Sequence, residues 1–182
     1  VGDRAVATVL DIYAECQRVH PRPDARHRIE HCGVIAEGLL DQVKALGVIP
    51  VPQGRFISEI GDGMKEALGL HRTPDAYRQR SFLERGIPLP GSSDRPVVNG
   101  APLLGMHDMV NQRTASGEPF VPGEAIPVEA ALHAYTAGSA YAAHEEGRKG
   151  TLAPGMLADL VVLGEDLLAI DRDGIGQVPV LA

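Results

Sequence analysis

The sequence has no tryptophan and few aromatics, four tyrosines and three phenylalanines among 182 residues. Its only cysteines are Cys16 and Cys32. Two thiols imply no disulfide framework, and a reducing cytoplasm is the expected setting. No apolar run approaches the ~18–20 residues that a membrane helix needs, so no membrane partner is expected. Basic residues are in deficit, 17 Lys+Arg against 24 Asp+Glu, for a formal net charge of −7. That balance disfavours nucleic acid, whose phosphates call for a basic face. The apolar share of 44% and charged share of 23% argue against disorder. By length alone, one domain of this size buries an adequate core.

Several catalytic motifs are also missing. There is no glycine-rich loop ending in Lys-Ser/Thr, and Gly91-Ser92-Ser93-Asp94 lacks the second glycine of a nucleophile elbow. His144-Glu145-Glu146 opens like a zinc-protease helix, but Arg148 stands where a second histidine is required. The cysteines form no paired metal motif. Asp171-Arg172-Asp173-Gly174 lacks the remaining ligands of a calcium loop.

What is present is an alternating pattern. Val6, Val9, Leu10 and Tyr13 recur at helical spacing, with Asp3 as the expected N-cap and His20-Pro21 as the stop. A short segment ends in Glu30-His31. A second helix carries Ala36, Leu39, Leu40, Val43 and Leu46 and stops at Gly47. Val48-Ile49-Pro50-Val51 reads as a buried strand. Residues 52–80 form an excursion with a short helix near Met64–Leu68. A helix over Asp75–Arg85 and a strand at Ile87-Pro88-Leu89 follow, the strand running into Gly91-Ser92-Ser93-Asp94. This rhythm predicts an α/β fold with a parallel sheet or barrel, whose functional residues sit at the carboxyl ends of strands. Residues 112–126 read as loop. A helix begins near Pro127, rich in alanine, and a turn at Gly150–Gly155 precedes the β-rich run Ala158–Leu163.

Taken in order, Gly2-Asp3-Arg4-Ala5, Arg28-Ile29-Glu30-His31-Cys32, Gly91-Ser92-Ser93-Asp94, and Ala134-Tyr135-Thr136 through Gly150-Thr151-Leu152-Ala153-Pro154-Gly155 to Ala158-Asp159-Leu160-Val161-Val162-Leu163 resemble the amidohydrolase superfamily. The match is to amidohydrolase family 3, the AepA-like branch. The resemblance implies a metal-dependent (β/α)8 TIM barrel with a small β-sandwich. Residues 1–144 would supply strands 6–8 with their helices, and 145–182 part of the sandwich. It further implies that His31, closing strand 6, is a metal ligand, and that Asp94, ending strand 8, binds metal and carries the proton of the attacking water. A bound divalent ion lowers the pKa of water from ~15.7 towards ~7. A carboxylate with a reference pKa of ~3.9 stays ionised there and can accept the proton, then pass it to a leaving amine. The expected cofactor is one or two divalent ions, zinc first, and the expected substrate a small non-peptide amide.

The family's His-x-His pair on strand 1 and its ligand on strand 4 have no counterpart here, and its strand 5 histidine would stand just before Val1. Four βα units are about half of the ~250 residues of a full barrel. The expectation is therefore the C-terminal half of an enzyme, completed by an N-terminal half, a partner chain or a second copy. Two alternatives stand beside it: a non-catalytic or regulatory piece whose metal site cannot close, and a complete small α/β domain.

Plainer roles also remain open. His31 can be a strand-end histidine satisfied by hydrogen bonds, and Asp94 a turn residue. Asp3 and Arg4 read as structural, and Glu30 as a group that orients its neighbours. Gln53, just past strand 7, is a candidate substrate contact. Cys32 reads as a buried structural thiol. His20, His27, His71, His107, His133 and His144 read as surface or packing residues.

Overall fold

The computed structural model describes residues 1–182. Helix α1 (Asp3–Val19) buries Val6 and Leu10 and ends before Pro21, whose ring disfavours helical backbone at His20. Its N-cap is Gly2 rather than Asp3. Asp3 is the first helical residue, its carboxylate accepting the Arg4 N–H at 2.8 Å and pairing with Arg72 at 3.0 Å. A negative charge there complements the helix dipole without capping geometry.

Strand β1 (Arg28–Glu30) pairs in parallel with β2 (Ile49–Val51), Glu30 opposite Val51. The connection runs through α2 (Glu37–Ala45), which buries Leu40 and Val43. Gly47, at φ 62°, supplies the left-handed residue that turns the chain into β2.

The expected strand at Ile87–Leu89 forms no ladder. Ile87 and Leu89 are buried, but pairing reduces to one parallel bridge, Gln53 to Ser92. Pro50, Pro52, Pro88 and Pro90 each lack the N–H that a ladder needs, so the third segment lies beside β2 almost without hydrogen bonds.

The excursion after β2 is more helical than its sequence indicates. It holds α3 (Phe56–Glu59), α4 (Gly61–Arg72, kinked at Gly69) and a 3₁₀ turn (Thr73–Asp75). Helix α5 is shorter than expected, Gln79–Glu84. Helix α6 (Pro102–Asn111) has no counterpart in the sequence reading; Pro102 starts it and Gln112, at φ 51°, ends it. The alanine-rich helix begins after Pro127, as α7 (Val128–His133), a π-helical turn (Ala134–Gly138) and α8 (Ser139–Ala142).

One apolar core joins Val6 and Leu10 of α1, Leu40 and Val43 of α2, Phe82 of α5 and Met106, Met109 and Val110 of α6. Leu167, Ile175 and Val178 of the tail enter the same core, Ile175 within a 3₁₀ helix (Arg172–Gln177) and Val178 at its C-cap. A smaller cluster gathers Phe56, Ile57, Tyr77 and Phe120 beneath the excursion.

In the tail, β structure amounts to one antiparallel bridge, Leu163 to Val180, with Val162 and Gly164 hydrogen-bonded to Ala182 and Pro179. Leu160, Val161 and Val162 are exposed. A run with strand propensity has no neighbouring strand to complete a sheet, so the expected all-β element is present only as this pairing. No helix is long and apolar enough to cross a membrane.

Candidate metal centre

The carboxyl ends of β1, β2 and the 87–92 segment bring together three residues singled out in the sequence: His31, Gln53 and Asp94. His31 directly follows β1, and its N–H donates to the Val51 carbonyl at 3.0 Å, which fastens it to the end of β2. Its Nε2 lies 4.0 Å from Asp94 Oδ2. His31 (φ 65°), Cys32 (φ 44°) and Asp94 (φ 58°) all take left-handed backbone. For residues with a Cβ this conformation is strained, and it persists where the surroundings enforce it. Here it accompanies the close approach of the His31 and Asp94 side chains.

Gln53 is 2% exposed. Its amide nitrogen donates to the Val51 carbonyl at 2.9 Å, and its Oε1 is 2.9 Å from His31 Nδ1. A carbonyl can only accept, so the Val51 contact fixes which end of the amide faces the ring. The oxygen facing Nδ1 requires a proton there, so that in the neutral ring Nε2 is the nitrogen free to bind a metal. The Phe56 ring stacks on His31 with centroids 5.9 Å apart and closes one side. Each amide end of Gln53 thus has one partner within the protein.

Ligand bonds of ~2.0–2.2 Å to nitrogen and oxygen let one ion span two donors separated by about 4 Å. The pair His31–Asp94 therefore fits a divalent cation in distance and in donor chemistry. No group of three or more His, Cys, Asp and Glu side chains gathers anywhere in the chain. Two such donors are fewer than the about three protein ligands of a catalytic zinc.

The other singled-out residues lie apart. Glu30 is exposed and bound to Arg28 at 2.8 Å, away from the cleft. His27 stacks on Tyr13, and His20, His71, His133 and His144 are exposed. Cys32 is fully buried, and burial pushes its thiol up to about 12. Asp171 caps the terminal 3₁₀ helix by accepting the Asp173 N–H at 2.9 Å.

A buried polar cluster that the sequence does not mark lies on α6. Asp108 of α6, 2% exposed, accepts from Arg55 at 2.9 Å and from Ser58 at 2.5 Å, with His107 Nδ1 at 2.9 Å from its other oxygen. Its members are scattered over positions 55, 58, 107 and 108, and only the unanticipated α6 brings them together. The network holds the loop after Gln53 onto α6.

The chain is 30% identical over 175 residues to YtcJ of Bacillus subtilis, a protein named as an amidohydrolase, covering 94% of this chain and 32% of that one. It is 28% identical to the N-substituted formamide deformylase of Arthrobacter pascens, covering 91% of this chain and 31% of the relative. The crystal structure of a metal-dependent hydrolase from Pyrococcus horikoshii OT3 superposes with a TM-score of 0.80 at 28% identity, covering 94% of this chain and 34% of that one. The chain thus spans about a third of the length of the relatives it matches. A match to the amidohydrolase family runs over residues 1–180, and the chain belongs to that family, amidohydrolase family 3.

Proposed function

We propose that His31 and Asp94 are two ligands of a divalent metal, zinc first, in a hydrolase that cleaves a non-peptide C–N bond of a small amide. The observation that carries this reading is the 4.0 Å approach of His31 Nε2 to Asp94 Oδ2 at the carboxyl ends of parallel segments. When bound, the metal supplies a water acidic enough to ionise near neutral pH. The protein's part is local. His31 presents Nε2, Gln53 holds that ring by Nδ1, and Gln53, just past β2, stays a candidate substrate contact. Asp94, whose side chain is 40% exposed, is accessible enough to take a proton from water and return it to a leaving amine.

In this reading residues 1–144 are strands 6–8 of a (β/α)8 barrel and 145–182 one part of a β-sandwich. Catalytic zinc usually has about three protein ligands, so the remaining donors come from a further stretch of polypeptide or another copy. The similarity to an N-substituted formamide deformylase makes formamides the first substrates to try. The two unpaired cysteines fit a reducing, cytoplasmic setting.

A second reading is favoured by the two-donor set itself: the chain as a non-catalytic piece that holds no metal. Equilibrium dialysis against zinc, with formate release from an N-substituted formamide, separates the two. Zinc bound by the wild type and lost from His31→Ala and Asp94→Asn supports the metal reading. Zinc uptake unaffected by both substitutions rules it out.

A further inference from the structure

The π-helical turn Ala134–Gly138 lies directly against the stretch that leads to Asp94. The Gly91 N–H donates to the Ala134 carbonyl at 2.7 Å. The Ser139 hydroxyl lies 3.1 Å from the Gly91 carbonyl and 2.8 Å from the Ala134 carbonyl, sharing its one hydrogen between them. The Tyr135 hydroxyl donates to the Ser92 carbonyl at 3.1 Å. On its other side, Ser92 bridges Gln53. Three hydrogen bonds between one helix and this stretch, two donated by the helix and one accepted by it, thus do what the ladder, short of N–H groups, cannot.

The fit has been carved by glycines. A Cβ on Gly91 would sit 2.5 Å from the Tyr135 ring, one on Gly105 would sit 1.9 Å from the Tyr135 hydroxyl, and one on Gly138 would sit 2.8 Å from the Leu89 carbonyl. A π-turn widens the helix and redirects carbonyls that an α-helix would keep for itself, and such turns recur at functional sites. In this helix the redirected acceptor is Ala134.

We infer that this π-turn is a positioning device for Asp94, with Tyr135 and Ser139 as positioning residues that fix the carboxylate against His31. The inference rests on the proposed metal reading for its purpose, but its physical content can be measured without it. The test is amide hydrogen exchange on the full chain and on Tyr135→Phe and Ser139→Ala, with cobalt(II) absorption titrations on the same proteins. Loss of one such hydrogen bond should speed exchange at residues 91–95 by about threefold to tenfold, leaving the amides of α1 and α2 unchanged. Cobalt affinity should fall in both variants. If Tyr135→Phe fails to fold, Ser139→Ala carries the test. Exchange at 91–95 equal to wild type, or accelerated evenly along the chain, would overturn the inference. Asp94→Asn separates the two claims: it should abolish cobalt binding without altering exchange around α7. Cobalt binding that survives Asp94→Asn counts against the metal reading, while the clamp is still decided by exchange.

Discussion

The amide of Gln53 spans two partners, donating to the Val51 carbonyl and placing Oε1 2.9 Å from His31 Nδ1. The main chain of β2 thereby dictates the proton position on a ring attached to β1. Second partners of this kind are worth about 10–100-fold in metal affinity. Gln53→Leu keeps the volume and removes both bonds. It should weaken zinc binding by that factor, as read by competition with a chromogenic chelator; unchanged affinity would remove Gln53 from the site.

Asp108 sits under the same loop with Arg55, Ser58 and His107 around it. Removing one partner of a buried ion pair strands the other and costs about 3 kcal/mol. Asp108→Ala should therefore lower the urea midpoint of unfolding by that equivalent. A change below about 0.5 kcal/mol, the range of ordinary surface substitutions, would show that the cluster is not structural.

The glycine carving is open to a double-mutant cycle. Gly105→Ala alone should cost about 1–3 kcal/mol, because its Cβ meets the Tyr135 hydroxyl. Tyr135→Phe removes that oxygen, so the double variant should be more stable than the sum of the two losses predicts. Strict additivity in thermal unfolding would mean that the two residues do not meet.

The two thiols should differ. Cys16 is exposed and Cys32 buried, the latter pushed up from 9.0 to about 12 by burial. At pH 8, a thiol reagent should titrate one cysteine in the native chain and two in denaturant. A folded pKa raised above the unfolded one favours the native state fully below pH 9, and that contribution is lost as pH rises towards 12. Stability should accordingly decline above pH 9. Two native thiols reacting at equal rates would contradict the burial of Cys32.

The legible parts of the fold were those with strong local signals. Helix α1 announced itself by the spacing of Val6, Val9, Leu10 and Tyr13, and α2 by its apolar face and Gly47. The meeting of His31 with Asp94 followed from polar strand ends in a parallel rhythm, read together with the family phrases. The segment at 87–89 reads as a strand from its apolar content, and its prolines keep it from forming a ladder. Helix α6 was invisible: its Asp108 is buried through partners that only tertiary structure supplies, so a charge marked no helix face. Tyr135 and Gly91 gave no sign of contact, since a glycine kept for close approach resembles a glycine kept for a turn.

We propose that His31 and Asp94 are both ligands in a site of one or two divalent ions. Crystals of the chain grown with zinc, measured on both sides of the zinc absorption edge, test it directly. Anomalous density is expected at ~2.0–2.2 Å from His31 Nε2 and from an Asp94 carboxylate oxygen, as one peak or two. A zinc peak elsewhere with this cleft empty would contradict it.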